Sequence, residues 1–176
     1  MITLEKPYSV RKSGIENQGI SFGIKKDGLA HIFNVLRNQL YSNKILAVIR
    51  EYSCNAYDAM VEAGTSDQKF VVTCPTFDDP CFKVRDFGSG LSPEGIAEVY
   101  AYYGESTKRQ SNAFIGQLGL GSKSGFAYGD NFVIKSFYRG TLYTYNAYLD
   151  ETKIGQILLM DEEATSENDG VEIVIP

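Results

Sequence analysis

The stretch NKILAVIREYSCNAYDAMVEAG, residues 43–64, carries the pattern around which the rest of the chain must be arranged. Its apolar residues recur at helical spacing and fall on one side of a helix with 3.6 residues per turn. They are Ile45, Val48, Ile49, Tyr52, Ala56, Ala59, Met60 and Ala63. Gly64 is suited to end the helix. The stretch therefore predicts a helix over about 43–63 that is buried along one face.

A second pattern on the same helix is polar. Glu51, Asn55 and Asp58 stand at i, i+4 and i+7, so they form one line along the helix. This line lies roughly 110° from the middle of the apolar cluster, on the shoulder of the buried face. A shoulder position can line a pocket whose floor is the core. Two interpretations stay open at this point: a solvated edge that favours solubility, and a site that holds a metal ion and a water molecule.

The remaining elements indicate an α+β fold. A helix is predicted over 29–40, and another begins at Ser92, which caps SPEGIAEVYAYY. SKSGFAY is expected to make a short helix. Strands are predicted at 69–75, 81–86, 131–138, 141–149, 153–160 and 171–176, with a tight hairpin at Arg139-Gly140. The first 25 residues are expected to form an irregular arm with one short strand near 19–24, and residues 104–121 and 161–170 to form loops. This order predicts two layers, with helices on one face of a mostly antiparallel sheet.

Composition narrows the class of protein. The chain has 176 residues, of which 43% are apolar, and this is enough for one domain with a substantial core. The net charge of −5 argues against direct nucleic-acid binding, which draws on positive charge. No apolar run approaches the ~20 residues of a membrane helix. The three cysteines form no CxxC pair, which indicates a reduced intracellular chain, and with His31 as the only histidine a His-Cys zinc site or a Ser-His-Asp hydrolase is hard to build.

Two glycine-containing segments follow the first helix. DFGSG, residues 86–90, places Asp86 at the end of a predicted strand, with glycines at alternate positions that permit positive φ and close approach of a flat ligand. A carboxylate there can accept a hydrogen bond from an exocyclic amine. GQLGLGSKSGF, residues 116–126, places three glycines before a predicted helix start, where bare backbone N–H groups can hold an anion. Taken singly, the first also fits a glycine turn before a capped helix, and the second a flexible loop.

Two familiar motifs do not fit these segments. GQLGLGSKS has one residue too many before its lysine to be a phosphate-binding P-loop, and no buried strand precedes it. DFG occurs in protein kinases, but the chain has neither an HRDxxxxN catalytic loop nor an APE sequence. Both assignments are therefore rejected.

The order of the three motifs is more specific than any one of them. ExxxNxxDA at 51–59 is followed by DxGxG at 86–90 and by GxxGxGxxS at 116–124. This order resembles the GHKL superfamily of ATPases, whose members include DNA gyrase B, the large heat-shock chaperones, histidine kinases and the MutL mismatch-repair proteins. The resemblance covers residues 29–176. Within the superfamily, NKILAVIREYSCNAYDA, VRDFGSGLS, NAFIGQLGLGSKSGFAY and GVEIVIP look most like bacteriophage rIIA-type rapid-lysis proteins.

The resemblance implies a two-layer Bergerat ATP-binding sandwich, with helices on one face of a mostly antiparallel, mixed sheet. Residues 1–25 would be an N-terminal arm and residues 26–176 the ATP-binding domain, at the N-terminal part of a longer protein. Glu51 would be the general base that polarises the attacking water. Asn55 would be the Mg²⁺ ligand. Asp58 would support this nucleotide site from one turn further along the helix.

The same resemblance implies the nucleotide contacts. Asp86 would read the adenine amine, and Gly88 and Gly90 would make room for the base. The phosphates would be held by the backbone of Gly116, Gly119 and Gly121 and by the side chain of Lys108. Lys123 is a further, weaker candidate. The loop 104–121 would close over the nucleotide as a lid and exclude water.

Two departures from the family pattern stand in the sequence. Many members carry a threonine on a late strand that assists adenine recognition, whereas this chain has Val171 in DGVE. Many also complete the γ-phosphate site with a basic residue from a following domain. We therefore expect the isolated domain to bind nucleotide and to be a weak ATPase.

The predicted function is an Mg²⁺-dependent ATP-driven switch in a lysis-inhibition protein, located in the host cytoplasm, with any membrane association coming from parts outside this chain. Two subunits are expected to pair when ATP binds, and the arm is a candidate exchange strand; the partner protein is not indicated. The main alternative is a nucleotide-binding or vestigial GHKL module that serves mainly protein–protein interaction. A histidine kinase fits poorly, because His31 lacks a phosphoacceptor context.

Overall fold

The computed structural model describes residues 34–35, 41–101 and 121–176. These residues form an α+β fold. Its described helices are α1 (Lys44–Ala63), α2 (Pro93–Ala101) and α3 (Gly125–Tyr128), with a 3₁₀ turn at Gly121–Lys123. Its described strands are β1 (Val71–Thr73), β2 (Phe82–Arg85), β3 (Asn131–Tyr138), β4 (Thr141–Leu149), β5 (Gly155–Ala164) and β6 (Gly170–Ile175).

Helix α1 confirms the prediction from the opening stretch. Asn43 caps its first turn, because Oδ1 accepts a hydrogen bond from the N–H of Leu46 at 3.0 Å. Gly64 ends it in the left-handed conformation, with φ 72°, and its N–H bonds back to the carbonyls of Met60 and Val61. Both ends are thus set by residues within one turn of the helix.

The six described strands form one sheet in the order β1-β2-β6-β3-β4-β5. Every described pairing is antiparallel, so the mixed character that was expected is absent from this part of the chain. The last strand in the sequence, β6, lies between β2 and β3. Its start is therefore brought beside the end of β2, where Arg85 pairs with Glu172.

Strand β5 differs from the prediction at both ends. It begins at Gly155 rather than at residue 153, because a turn anchored on Asp150 occupies the preceding residues: its Oδ1 accepts from the N–H of Ile154 at 3.0 Å. It continues to Ala164, so the expected loop 161–170 is wrong for its first four residues. These residues pair with the start of β4. Their acidic side chains are tolerated because β5 is an edge of the described sheet.

The core lies between the helices and one face of the sheet. Val48, Tyr52 and Ala56 of α1 join a buried cluster with alternate residues of the strands. The strand members of this cluster are Val84, Phe132, Ile134, Tyr145, Ala147, Ile173 and Ile175. Since side chains along a strand alternate between faces, this set defines a single sheet face that meets the helices. The predicted two-layer arrangement is thus confirmed for the described residues.

Several predictions fall outside the described residues. They are the arm 1–25 with its short strand, most of the helix over 29–40, and most of the loop 104–121, with Lys108, Gly116 and Gly119. Asn34 and Val35 are described, and both are helical. Among the described helices, none has both the length and the apolar character needed to cross a bilayer.

Candidate functional site

The polar line of α1 meets the glycine-containing segment at Gly121. A Cβ atom built on Gly121 would lie 2.6 Å from Oε2 of Glu51 and 3.6 Å from Nδ2 of Asn55. A side chain at 121 would therefore collide with the carboxylate. The other oxygen of Glu51, Oε1, pairs with the Arg50 guanidinium at 2.5 Å, and the Glu51 side chain is 16% exposed. The structure thus brings together Glu51, Asn55 and Gly121, which are separated by up to seventy residues.

Tyr52 fixes this approach. Its hydroxyl donates to the carbonyl of Ser122 at 3.1 Å and accepts from the N–H of Gly125 at 3.0 Å. Its side chain is buried, and burial raises its pKa, so the hydroxyl keeps its proton. The sequence pattern placed Tyr52 only on the apolar face of the helix. A phenol on a buried helix face needs a hydrogen-bond partner, and this requirement could have indicated that the Tyr52 hydroxyl contacts another segment.

Asp58 lies at the inner end of the polar line and is fully buried. Glu51 and Asn55 are partly exposed, so the line runs from the surface into the interior. A solvated edge that favours solubility does not describe a side chain that is fully buried. The solubility interpretation of the pattern is therefore wrong for Asp58.

Asp86 follows β2 and is held by backbone groups of two segments. Its Oδ1 accepts from the N–H of Gly88 at 2.9 Å and from the N–H of Val171 at 3.1 Å. Its own N–H donates to the carbonyl of Val171 at 2.9 Å. Val171 has no side-chain group for hydrogen bonding, yet its backbone contacts the Asp86 carboxylate directly. The side chain of Asp86 is thus held against the start of β6.

The two glycines after Asp86 have different roles. Gly90 adopts φ 66°, as expected, and its side-chain position is occupied by the carbonyl of Phe137. Gly88 does not have a positive φ, so it does not use the backbone freedom that a glycine permits. Instead, a Cβ at Gly88 would lie 3.0 Å from the carbonyl oxygen of Ala59 in α1. At both positions the space of the missing side chain is occupied by neighbouring backbone.

Two polar residues that the sequence analysis did not single out hold this segment. The buried Ser136 hydroxyl accepts from the N–H of Leu91 and donates to its carbonyl, both at 2.8 Å. The Thr65 hydroxyl donates to the carbonyl of Phe87 at 2.9 Å. Ser136 follows Phe132 and Ile134 on the buried face of β3, so strand alternation could have identified it as a polar residue at an inward position.

Lys123 is directed towards α2. Its ammonium donates to the carbonyl of Val99 at 3.0 Å and to the hydroxyl of Ser122 at 3.2 Å. The residue is 2% exposed, and burial lowers its pKa to about 8. In these contacts Lys123 links the 3₁₀ turn to helix α2.

Two cavities border parts of this region. One, of about 480 Å³, lies beside Gly88 and the loop 167–169. The other, of about 510 Å³, lies between α2 and the strands β3 to β5, with Lys123 in its mostly apolar wall. The described walls of these two cavities do not include Glu51, Asn55 or Asp86. The side chains of the polar line and the Asp86 carboxylate therefore do not line either cavity.

The side chains near Gly121 offer oxygen ligands. Among the described residues, no group of three or more His, Cys, Asp and Glu side chains is arranged to hold a metal ion. Glu51 and Asn55 supply a carboxylate and an amide, which suit a hard cation such as Mg²⁺ only if water and other oxygen donors complete its shell.

Comparison with known proteins does not assign the chain to a family: no protein-family model matches the chain, and a search of curated proteins finds no similar sequence.

Proposed function

We propose that this chain is an Mg²⁺-dependent ATP-binding and ATP-hydrolysing domain, acting as a nucleotide-driven conformational switch in a phage rIIA-like lysis-inhibition protein. The observation that carries the proposal is the contact of Gly121 with Glu51 and Asn55. A hydrolytic site needs a base within reach of a water that also touches the phosphate-binding backbone. The approach of Gly121 to the Glu51 carboxylate and the Asn55 amide supports the proposal, because it places a carboxylate beside the backbone proposed to hold phosphate.

A second contact supports the same proposal. Gly88, of the segment that begins with Asp86, packs on Ala59, one turn along α1 from Asn55. Helix α1 is therefore bordered at successive turns by the segment proposed for phosphate and by the segment proposed for adenine. A nucleotide lying along this helix would extend its base towards Asp86 and its phosphates towards Glu51.

The proposed roles follow from side-chain chemistry. Glu51 would accept a proton from the attacking water, as an ionised carboxylate can. The amide oxygen of Asn55 would contribute one ligand to Mg²⁺, and the small number of protein ligands suits a cation that takes most of its shell from phosphates and water. When bound, the ion would supply charge to stabilise the phosphates. Asp86 would accept a hydrogen bond from the adenine amine, which guanine lacks at that position.

Calorimetric titration with ATP, ADP and GTP, with and without Mg²⁺, tests the binding step. We expect ATP to bind more tightly than GTP. Asp86→Asn should abolish this adenine-dependent advantage, so that both nucleotides bind weakly and about equally, because an amide is a poorer acceptor of that hydrogen bond. Asp67→Asn, which changes an exposed aspartate, is the matched control and should leave binding unchanged. Equal affinity for ATP and GTP in the unchanged protein would contradict the role of Asp86.

Phosphate release tests the catalytic step. Glu51→Ala should bind ATP as before and lose about 10²-fold or more in turnover, because it removes the general base. Glu62→Ala, an exposed glutamate on the same helix, should change neither. Unchanged turnover in Glu51→Ala would exclude Glu51 as the base. If no nucleotide binds at all, the protein-interaction module is the better interpretation of the fold.

A further inference from the structure

Arg85 occupies a position that the proposed function does not use. It is the last residue of β2, immediately before Asp86, and it is 8% exposed. Its guanidinium lies over the ring of Phe137 at 4.0 Å and over that of Phe87 at 4.9 Å. A buried guanidinium must be compensated by hydrogen bonds, ion pairs or ring contacts. Its hydrogen bonds therefore indicate what it does.

The guanidinium joins two backbone segments. One nitrogen, Nη1, donates to the carbonyl of Asp86, and the other, Nη2, donates to the carbonyl of Asn168. Gly170 packs against the first of these contacts, and a side chain there would overlap both Nη1 and the carbonyl of Asp86. The planar fork of arginine can bridge two carbonyls at once, which a lysine ammonium of the same charge does with less precise geometry.

These two segments also meet at the Asp86 carboxylate. The first carries Asp86 and its partner Gly88, and the second leads directly into Val171, whose N–H donates to the same carboxylate oxygen. Holding the two segments together holds the carboxylate in its orientation. Burial lowers the pKa of Arg85, and the nearby acidic groups of Asp86, Glu172, Glu167 and Asp169 oppose that effect.

We propose that Arg85 is a positioning residue that sets the selectivity of this chain for adenine over guanine, by fixing the Asp86 carboxylate against the start of β6. This inference rests on the proposed function for the nucleotide itself. Its structural part, the link between Arg85 and the Val171–Asp86 hydrogen bond, holds whether or not a nucleotide binds. The two parts can therefore be measured separately.

The variant Arg85→Lys, which keeps the charge and most of the side-chain length, tests the effect on nucleotide selectivity. We expect the ratio of ATP to GTP affinity to fall by about tenfold, because a hydrogen bond to a charged donor is lost from the support of Asp86. If Arg85 had only a structural role, Arg85→Lys would lower the melting temperature and weaken the binding of ATP and GTP equally. The ratio of the two affinities would then stay the same. Arg139→Lys, at the exposed turn between β3 and β4, is the matched control and should leave the ratio unchanged.

A double-mutant cycle asks whether Arg85 acts through Asp86. The double variant Arg85→Lys with Asp86→Asn should show the same ATP to GTP ratio as Asp86→Asn alone, since the positioned group is already lost. Additive changes in the ratio would overturn the inference. The inference would also be overturned if the original protein prefers ATP and Arg85→Lys has the same ATP to GTP affinity ratio. That result would not affect the proposed function.

The structural part of the inference is tested by amide hydrogen exchange, measured by NMR in the absence of nucleotide. In Arg85→Lys, the N–H of Val171 and of Gly88 should exchange about tenfold faster, because the acceptor they share is less fixed. The N–H of Val174, further along β6, should be unaffected. Unchanged exchange at Val171 and Gly88 would overturn the positioning role on its own. Absence of ATP preference in the unchanged protein, together with faster exchange in the variant, would instead overturn the proposed function and with it the assignment of selectivity.

Discussion

Gly121 is the residue at which the contact between α1 and the segment proposed to hold phosphate can be tested most directly. Gly121→Ala would place a methyl group 2.6 Å from Oε2 of Glu51, so the carboxylate must move. Because displacements of about 1 Å can cost on the order of 10² in rate, we predict a fall of about tenfold or more in ATP turnover. Phosphate release under saturating Mg-ATP measures this effect.

The control for this change is Gly129→Ala. A Cβ at Gly129 would meet only ordinary contacts, the nearest at 3.5 Å, and the backbone there is extended. Turnover should be unchanged. If Gly121→Ala and Gly129→Ala were equally active, the proximity of residue 121 to the Glu51 carboxylate would have no catalytic consequence.

Lys123 gives a prediction for the pH dependence of stability. Burial lowers its pKa to about 8, below its ordinary value of 10.5. Between these two values the unfolded chain binds the proton and the folded chain does not, so this group makes the free energy of unfolding rise with pH. Lys123→Met removes this contribution. The free energy of unfolding of the unchanged protein minus that of the variant should therefore increase from pH 8 to pH 10, as measured by urea denaturation.

The difference between the two proteins matters because other groups titrate near the same pH. The pKa of Tyr52 is raised by burial, which makes stability fall as pH rises through the ordinary range of tyrosine. Tyr52 is present in both proteins, so its effect cancels. A difference that stayed flat or fell between pH 8 and pH 10 would contradict a desolvated ammonium at Lys123.

At the scale of the element, the start of α1 depends on one side chain. Asn43→Ala removes the hydrogen bond from the N–H of Leu46, and the loss of such a cap costs about 1 kcal/mol. Asn43→Ser keeps a capping oxygen and should lose much less. Chemical denaturation measures both variants, and equal destabilisation by Ala and Ser would show that the cap is not what residue 43 contributes.

The elements themselves were largely predictable from the sequence. The bounds of α1 and the tight turn at Arg139-Gly140, where both residues have positive φ, depend on interactions within a few residues. The extension of β5 to Ala164 could not be predicted, because a run of acidic residues considered by itself favours a loop. They are held in a strand by pairing with the start of β4, which is a contact between segments.

At the scale of the whole molecule, the sheet order predicts where the chain opens first. Ile173 of β6 is paired on both sides, whereas Val72 of β1 lies at an edge of the sheet formed by the described strands and is 41% exposed. We expect the N–H of Ile173 to exchange only on global unfolding and that of Val72 on local opening, at least about a hundredfold faster. Both residues are β-branched, so their intrinsic exchange rates are similar. Comparable protection at the two positions would contradict the central placement of β6.

The candidate site could be predicted as a set of segments but not as a geometry. The spacing of Glu51, Asn55 and Asp58 on one helix line follows from helical periodicity alone. The contact of Gly121 with that line, and the burial of Asp58, depend on how α1 packs against the sheet. The support given to Asp86 by Arg85 and Val171 was not predicted, because it depends on β6 lying beside β2.

Periodicity and capping were enough to predict the main helix with its two ends and most of the strands, because each depends on residues within one or two turns of each other. The order of these elements along the chain indicated the α+β class, and the order of the motifs suggested a nucleotide. Which carboxylate is buried, which backbone groups hold Asp86 and which glycine meets Glu51 follow instead from the packing of the folded chain. Those contacts join residues up to eighty-five positions apart, as Asp86 and Val171 are, and so depend on strand register and packing that no local pattern specifies.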